Sequence, residues 1–171
     1  TKGKSIMNFL SITQNESITS ILPISKENKD SVKSLVLVTK NGDAKKVSAS
    51  SFKDVRRSGI ISIKLAPGDE LVSVLPVTDT DEVVIVSTEG QSIRFKESDI
   101  REMGRGAGGV RAMKLDRTDF VVGVDVIKKG QDKGAGKLLT MSANGLGKQT
   151  ELSEYKVQKR GGSGIKTAKV T

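Results

Sequence analysis

EVVIVSTEGQSIRFKESDIREMGRGAGGVRAMKL, residues 82–115, holds a whole structural unit in one line. A continuous apolar run at 83–86 reads as a strand buried on both faces. Glu89-Gly90 is a two-residue hairpin signal, because glycine supplies the positive φ of such turns. The return strand alternates, which predicts Ser92, Arg94 and Lys96 facing solvent and Ile93 and Phe95 facing the core. A Gly-rich basic connector, REMGRGAGG, leads into a closing run, VRAMKL. The run ELVSVLPV at 70–77 supplies a strand in front of the hairpin.

Outward from this stretch the pattern repeats on both sides. Before it come SITSILPI, SLVLVTKNG, GDAKKVSASSF, RRSG and IISIKL. After it come FVVGVDVI, KLLTMSANG, GLGKQTELSEY, KVQKRGGSG and IKTAKV. Gly42, Gly90 and Gly145 hold one register position; Ile60, Val110 and Ile165 a second; Lys64, Lys114 and Lys169 a third. A period near fifty residues built of strands and turns predicts an all-β, propeller-like array of four-stranded units. The units read as 15–68, 69–118 and 119–171, within one array. The runs 35–38, 83–86 and 138–141 are expected as fully buried strands. Short turns are expected around 98–103, SSFKDV and LSEYKV, and a loop of solvated lysines at 128–136.

The 171 residues are 35% hydrophobic and only 3% aromatic, so each unit buries a small aliphatic core. There is no Cys and no His, which removes disulfides, thiolate metal sites and any Ser/His/Asp set. No run of 18 apolar residues predicts a membrane span, TKGKSIMNF lacks a signal-peptide core, and no basic amphipathic helix is visible.

The formal charge of +9 points to a polyanionic partner. Residues 43–64, 91–115 and 148–171 each carry six Lys/Arg, against two, three and two acids, whereas 65–90 carries six acids and no base. Basic residues therefore recur in the second half of every unit, on the third strand and its connector. Stacking such units predicts a basic stripe suited to a phosphate backbone rather than an evenly solvated surface. The candidate contacts are Lys45, Lys46, Arg56 and Arg57 in the first unit. Arg94, Lys96, Arg101, Arg105 and Arg111 follow in the second, and Lys148, Lys156, Lys159, Arg160 and Lys166 in the third.

Other motifs are weaker. Residues 104–109 contain G-x-G-x-x-G, but a strand follows it and not the helix that a dinucleotide site requires. Residues 130–137 depart from a P-loop in spacing and place Leu138 where Ser or Thr belongs. Tyr155 corresponds to Phe52 and Ile100, which marks a packing position and not a nucleophile. Asp79, Asp81 and Glu82 read as a solvated turn rather than a cation site. The most specific motif is Gln158-Lys159-Arg160-Gly161-Gly162-Ser163-Gly164, two cations before glycines whose N–H groups can line an anion-binding concavity.

The repeat and its 82–115 signature resemble the C-terminal DNA-wrapping domain of DNA gyrase A. QKRGGSG resembles that family's gyrase box, usually Q-R-R-G-G-K-G, with Lys159 in place of Arg and Ser163 in place of Lys. Box-like connectors also occur in later blades of family members, and both identities stay open for this loop. The resemblance implies a β-pinwheel, here one partial domain over 1–171 with 1–14 as the end of a preceding blade, whose blades exchange strands and whose basic edge bends and wraps duplex DNA without reading bases. It implies no catalytic residue, cofactor or metal in this stretch, with ATP and Mg used by other parts of a type II topoisomerase that introduces negative supercoils. The implied partners are duplex DNA, the remainder of gyrase A, and gyrase B, in a bacterial cytoplasm at the nucleoid and away from membranes. The alternatives are the homologous domain of topoisomerase IV and a propeller-type protein-interaction scaffold, which would present a mixed or apolar rim.

Overall fold

A computed structural model describes residues 3–13, 15–24, 31–56, 58–134 and 136–170. The described secondary structure is strand and 3-10 turn. In unit 1 the hairpin is β1 (Ser34–Thr39) and β2 (Asp43–Ser48). Unit 2 contributes β3 (Leu71–Val77), β4 (Glu82–Ser87), β5 (Gln91–Lys96) and the short β6 (Val110–Arg111). Unit 3 contributes β7 (Val121–Ile127), β8 (Lys137–Met141), β9 (Gly147–Glu151), β10 (Val157–Gln158) and β11 (Ile165–Lys166). The three hairpins turn at Gly42, Gly90 and Gly145, with φ of 88°, 74° and 80°, the left-handed geometry that the sequence signal requires.

Neither of the two larger sheets belongs to one unit. The first has the order β3-β1-β2-β6, so the hairpin of unit 1 is framed on both sides by strands of unit 2. The second repeats this arrangement: β4 and β5 of unit 2 lie between β7 on one side and β10 and β11 on the other, all from unit 3. β7 runs antiparallel to β4, β10 parallel to β5 and β11 antiparallel to β5. The single parallel bridge between Lys46 and Glu102 is the unit 1 counterpart of β10. Both framing ladders slip register at the same place, between Val38 and Thr39 and between Val86 and Ser87. The strand exchange implied by the family resemblance is thus present, and units 2 and 3 each reach back to complete their predecessor.

This exchange decides which apolar runs are buried. β1 and β4 are covered on both faces, as their unbroken sequence predicts. The main core lies between the first two sheets and contains Val36, Val38, Val77, Val83, Ile85, Ile93, Phe95, Ile100 and Met113. Val84, Ile127 and Leu152 form a smaller cluster with Leu138. Among the described residues β8 and β9 form a two-stranded sheet with no further strand. The expectation of a fully buried run at 138–141 is therefore wrong: Leu139 and Met141 are 57% and 64% exposed. A continuous apolar run records what a strand needs on its faces, and here the framing strands are not beside it. For the same reason the runs at 17–24 and 60–65 of unit 1, expected as strands, join no ladder.

The 3-10 turns Ala49–Phe52, Glu97–Asp99 and Leu152–Glu154 fall at the predicted places. Ile100 and Tyr155 are buried at the recurring packing position, and the Tyr155 hydroxyl hydrogen-bonds the hydroxyl of Thr167. The insertion after β7 is a loop containing the short turn Gln131–Lys133. One of its lysines is not simply solvated: Lys128 pairs with the buried Asp81 at 2.6 Å, and Asp81 also accepts from the amide and hydroxyl of Thr78. That turn is an internally bonded cap, not the solvated one expected.

Candidate nucleic-acid interface

The connectors are where the basic residues gather, and those of units 2 and 3 are anchored by the hairpin of the preceding unit. The connector of unit 2 leaves the Glu97–Asp99 turn, crosses to β2 and closes as β6. Gly109, with φ of 107°, lies against β2 so closely that a Cβ would stand 2.8 Å from the carbonyl oxygen of Ala44. Gly164 takes the same place against Ser92 of β5. These glycines serve protein packing. The amide of Gly161 is also committed to protein, donating to the Ala112 carbonyl at 2.6 Å, so this part of the expected anion concavity faces unit 2 instead.

Several predicted contacts lie inside the protein. Lys45 is fully buried, and its ammonium donates to the carbonyls of Ser62 (2.8 Å), Arg105 (2.5 Å) and Ala107 (3.0 Å). Burial, with the nearby charge of Arg105, pushes its pKa below the ordinary lysine value. Lys46 is half-buried and pairs with the buried Glu97 at 2.6 Å. Arg94 is 3% exposed; its Nε donates to Glu82 at 2.6 Å, and one terminal nitrogen donates to the carbonyls of Leu152 (2.8 Å) and Tyr155 (3.1 Å). The alternation reading correctly placed Phe95 in the core, but it wrongly put Ser92 and Arg94 in solvent. Strand β5 is covered on both faces, so the second face is also protein, and polar side chains there survive by finding partners. Arg160 is half-buried, donating from Nε to the Asp99 carbonyl (2.8 Å) and from a terminal nitrogen to the Arg111 carbonyl (2.9 Å).

The remaining candidates divide by exposure. Lys96, Arg101 and Arg111 are exposed on unit 2, as is Arg56 on unit 1. Lys156, Lys159 and Lys166 are exposed on unit 3; Lys148 is exposed too, with its ammonium 3.3 Å from the Thr167 carbonyl. Arg105 is half-buried, and Arg57 lies outside the described residues. Sequence reasoning passed over Lys64, Lys114 and Lys169 as contacts, although their recurrence once per unit was visible; all three are exposed. Within the first sheet, Arg111 sits opposite Asp43 across the β2–β6 pair. Burial and the charge of Asp69 raise the Asp43 pKa, against an opposing pull from Arg111.

The same repeat and fold recur in known proteins. The sequence pattern of the DNA gyrase C-terminal domain, beta-propeller, matches residues 33–78, 81–128 and 136–171. The chain belongs to that family. Each of the first two matched segments holds a hairpin and the first strand of the next unit, which pair in the observed sheets. The chain is 40% identical over 169 residues to the DNA gyrase A protein of Ureaplasma parvum and 40% identical over 170 residues to that of Escherichia coli. In both cases 99% of the chain is aligned, and it spans 19% of the relative's length. Among solved structures it is similar to the C-terminal domain of DNA topoisomerase IV, with a TM-score of 0.84 and 25% identity, covering 96% of this chain and 49% of that one. It is also similar to a DNA gyrase A C-terminal domain, with a TM-score of 0.80 and 28% identity, covering 96% and 53%. No helix among the described residues is long and apolar enough to cross a membrane.

Proposed function

We propose that this chain binds, bends and wraps duplex DNA along the edge carrying its connectors, without reading bases. The observation that supports the reading best is the sorting of the cations. Lys45, Lys46 and Arg94 are consumed in holding units together, while Lys96, Arg101, Arg111, Lys156, Lys159 and Lys166 stay exposed on the connectors and their flanking strand ends. Exposed cations that recur from unit to unit suit neutralisation of a phosphate backbone, with the array imposing the curvature. Few aromatics argues against stacking of single-stranded bases.

In the parent protein the wrap would present a crossing of fixed hand to a cleavage core that introduces negative supercoils, using ATP and Mg held by other domains. Its partners would be the remainder of gyrase A, and gyrase B, in the bacterial cytoplasm. Membership in the gyrase A family and the box-like QKRGGSG favour this reading. The likeness in shape to the topoisomerase IV domain favours the second, in which the domain steers DNA choice without strong wrapping. A titration against a random-sequence duplex tests binding. With about six phosphate contacts, affinity falls roughly a thousandfold between 50 and 200 mM salt. A flat response overturns the proposal. Relaxing a plasmid in the presence of the chain separates the two readings, since strong wrapping leaves a linking-number change and steering alone leaves none.

A further inference from the structure

Arg160, the second cation of the box-like loop, is half-buried and turned onto the protein. Its two acceptors, the carbonyls of Asp99 and Arg111, are not neighbours in sequence; they are the entry and exit of the unit 2 connector. Between them lie Arg101 and Arg105, and Arg111 itself ends the span. Two backbone hydrogen bonds flank this clasp. Gly161 donates to Ala112 at 2.6 Å, and Lys114 donates to Gly162 at 2.9 Å. A guanidinium donates from separate nitrogens in a fixed planar fork, so Arg160 reaches its two carbonyls from two atoms, whereas an ammonium needs all its acceptors gathered around one nitrogen, as at Lys45. Lys159, the adjacent residue, is exposed.

We propose that Arg160 is a positioning residue: it clasps both ends of the unit 2 connector, fixing unit 3 against unit 2, while Lys159 alone of the pair meets phosphate. The inference rests on the DNA-wrapping reading for its consequence, which is that Arg160 sets the bend and Lys159 contributes to affinity. The clasp itself exists without DNA.

The test uses the full chain and three variants. In the DNA-free protein, Arg160→Lys keeps the charge and loses the fork. Amide exchange at Lys114 and Gly161 speeds up by about tenfold, the scale of one lost hydrogen-bonded link. With a random-sequence duplex, Arg160→Gln keeps the wild-type slope of log affinity against log salt, whereas Lys159→Gln lowers it by about one. Energy transfer between the duplex ends reports less bending in Arg160→Lys at saturating protein. Wild-type exchange in Arg160→Lys, or a slope reduced by about one in Arg160→Gln, overturns the proposal. If the wild-type chain binds DNA without bending it, the wrapping reading fails, and the exchange measurement still decides the clasp.

Discussion

The hairpins of units 2 and 3 carry the same pattern and live in different surroundings. β4–β5 and β8–β9 pair in the same register, Val84 opposite Arg94 in one and Leu139 opposite Gln149 in the other. Val84 is 1% exposed and Leu139 57%. Arg94 is tied to Glu82, Leu152 and Tyr155, whereas Gln149 is exposed. The difference is the frame: unit 3 supplies strands to both edges of β4–β5, and no strand among the described residues does so for β8–β9. In this array the stability of a hairpin is a property of its neighbour, as nearest-neighbour coupling in repeat proteins leads one to expect.

The strongest way to break the comparison is through the framed hairpin. Phe95 is fully buried in the main core, so Phe95→Ala leaves a cavity and costs about 3–5 kcal/mol in denaturant unfolding. The same measurement on Arg94→Ala shows a loss of about 3 kcal/mol, because Glu82 is left without its buried partner and the Leu152 and Tyr155 carbonyls each lose a donor. Gln149→Ala, at the equivalent position of the bare hairpin, shifts stability by less than about 0.5 kcal/mol. A neutral Arg94→Ala would mean that the guanidinium is solvated and the second face of β5 open.

The sequence made the repeat, the hairpin turns and the packing position shared by Phe52, Ile100 and Tyr155 legible, because each depends on local chemistry recurring in register. Strand exchange entered only through the family resemblance, and the local pattern did not show which faces it covers. Nothing within residues 91–96 says that the face opposite Phe95 is covered by unit 3, so Arg94 reads as a surface residue when judged by alternation alone. Lys45 deceived for the same reason: a lysine after a turn looks solvated until the connector of the next unit closes over it. The exposed candidates, Lys96, Arg101, Arg111, Lys156, Lys159 and Lys166, were legible because they lie on strand ends and connectors, where no further layer is stacked.

Hydrogen ion concentration probes the frame by another route. Asp119 of unit 3 caps the turn of the unit 2 hairpin, accepting from the Thr88 hydroxyl (2.7 Å) and the amides of Glu89 (2.9 Å) and Phe120 (3.0 Å). Burial pushes its pKa up, but these bonds together with one from Ser87 outweigh it and hold the carboxyl below its ordinary value. The depressed value means that the folded state binds the proton less tightly than the unfolded one. Its contribution is therefore complete above the ordinary carboxylate range and is lost as pH falls through the folded value. The stability gap between wild type and Asp119→Asn should narrow on acidification below about pH 4. A gap that is constant down to about pH 2 would show that the cap acts by shape and not by charge.

The sharpest comparison pairs two aliphatic side chains at one register position. Val84→Ala removes two buried methyl groups from the cluster with Ile127 and Leu152, costing about 2 kcal/mol including the space left behind. Leu139→Ala removes a larger side chain, yet most of it already faces water, so the change stays within about 0.5 kcal/mol. Hydrophobicity alone predicts the opposite order, since leucine has more surface to lose. Urea melts of the two variants distinguish the accounts directly. If Leu139→Ala costs more than Val84→Ala, then β8–β9 is covered in solution, and the contrast between framed and bare hairpins disappears.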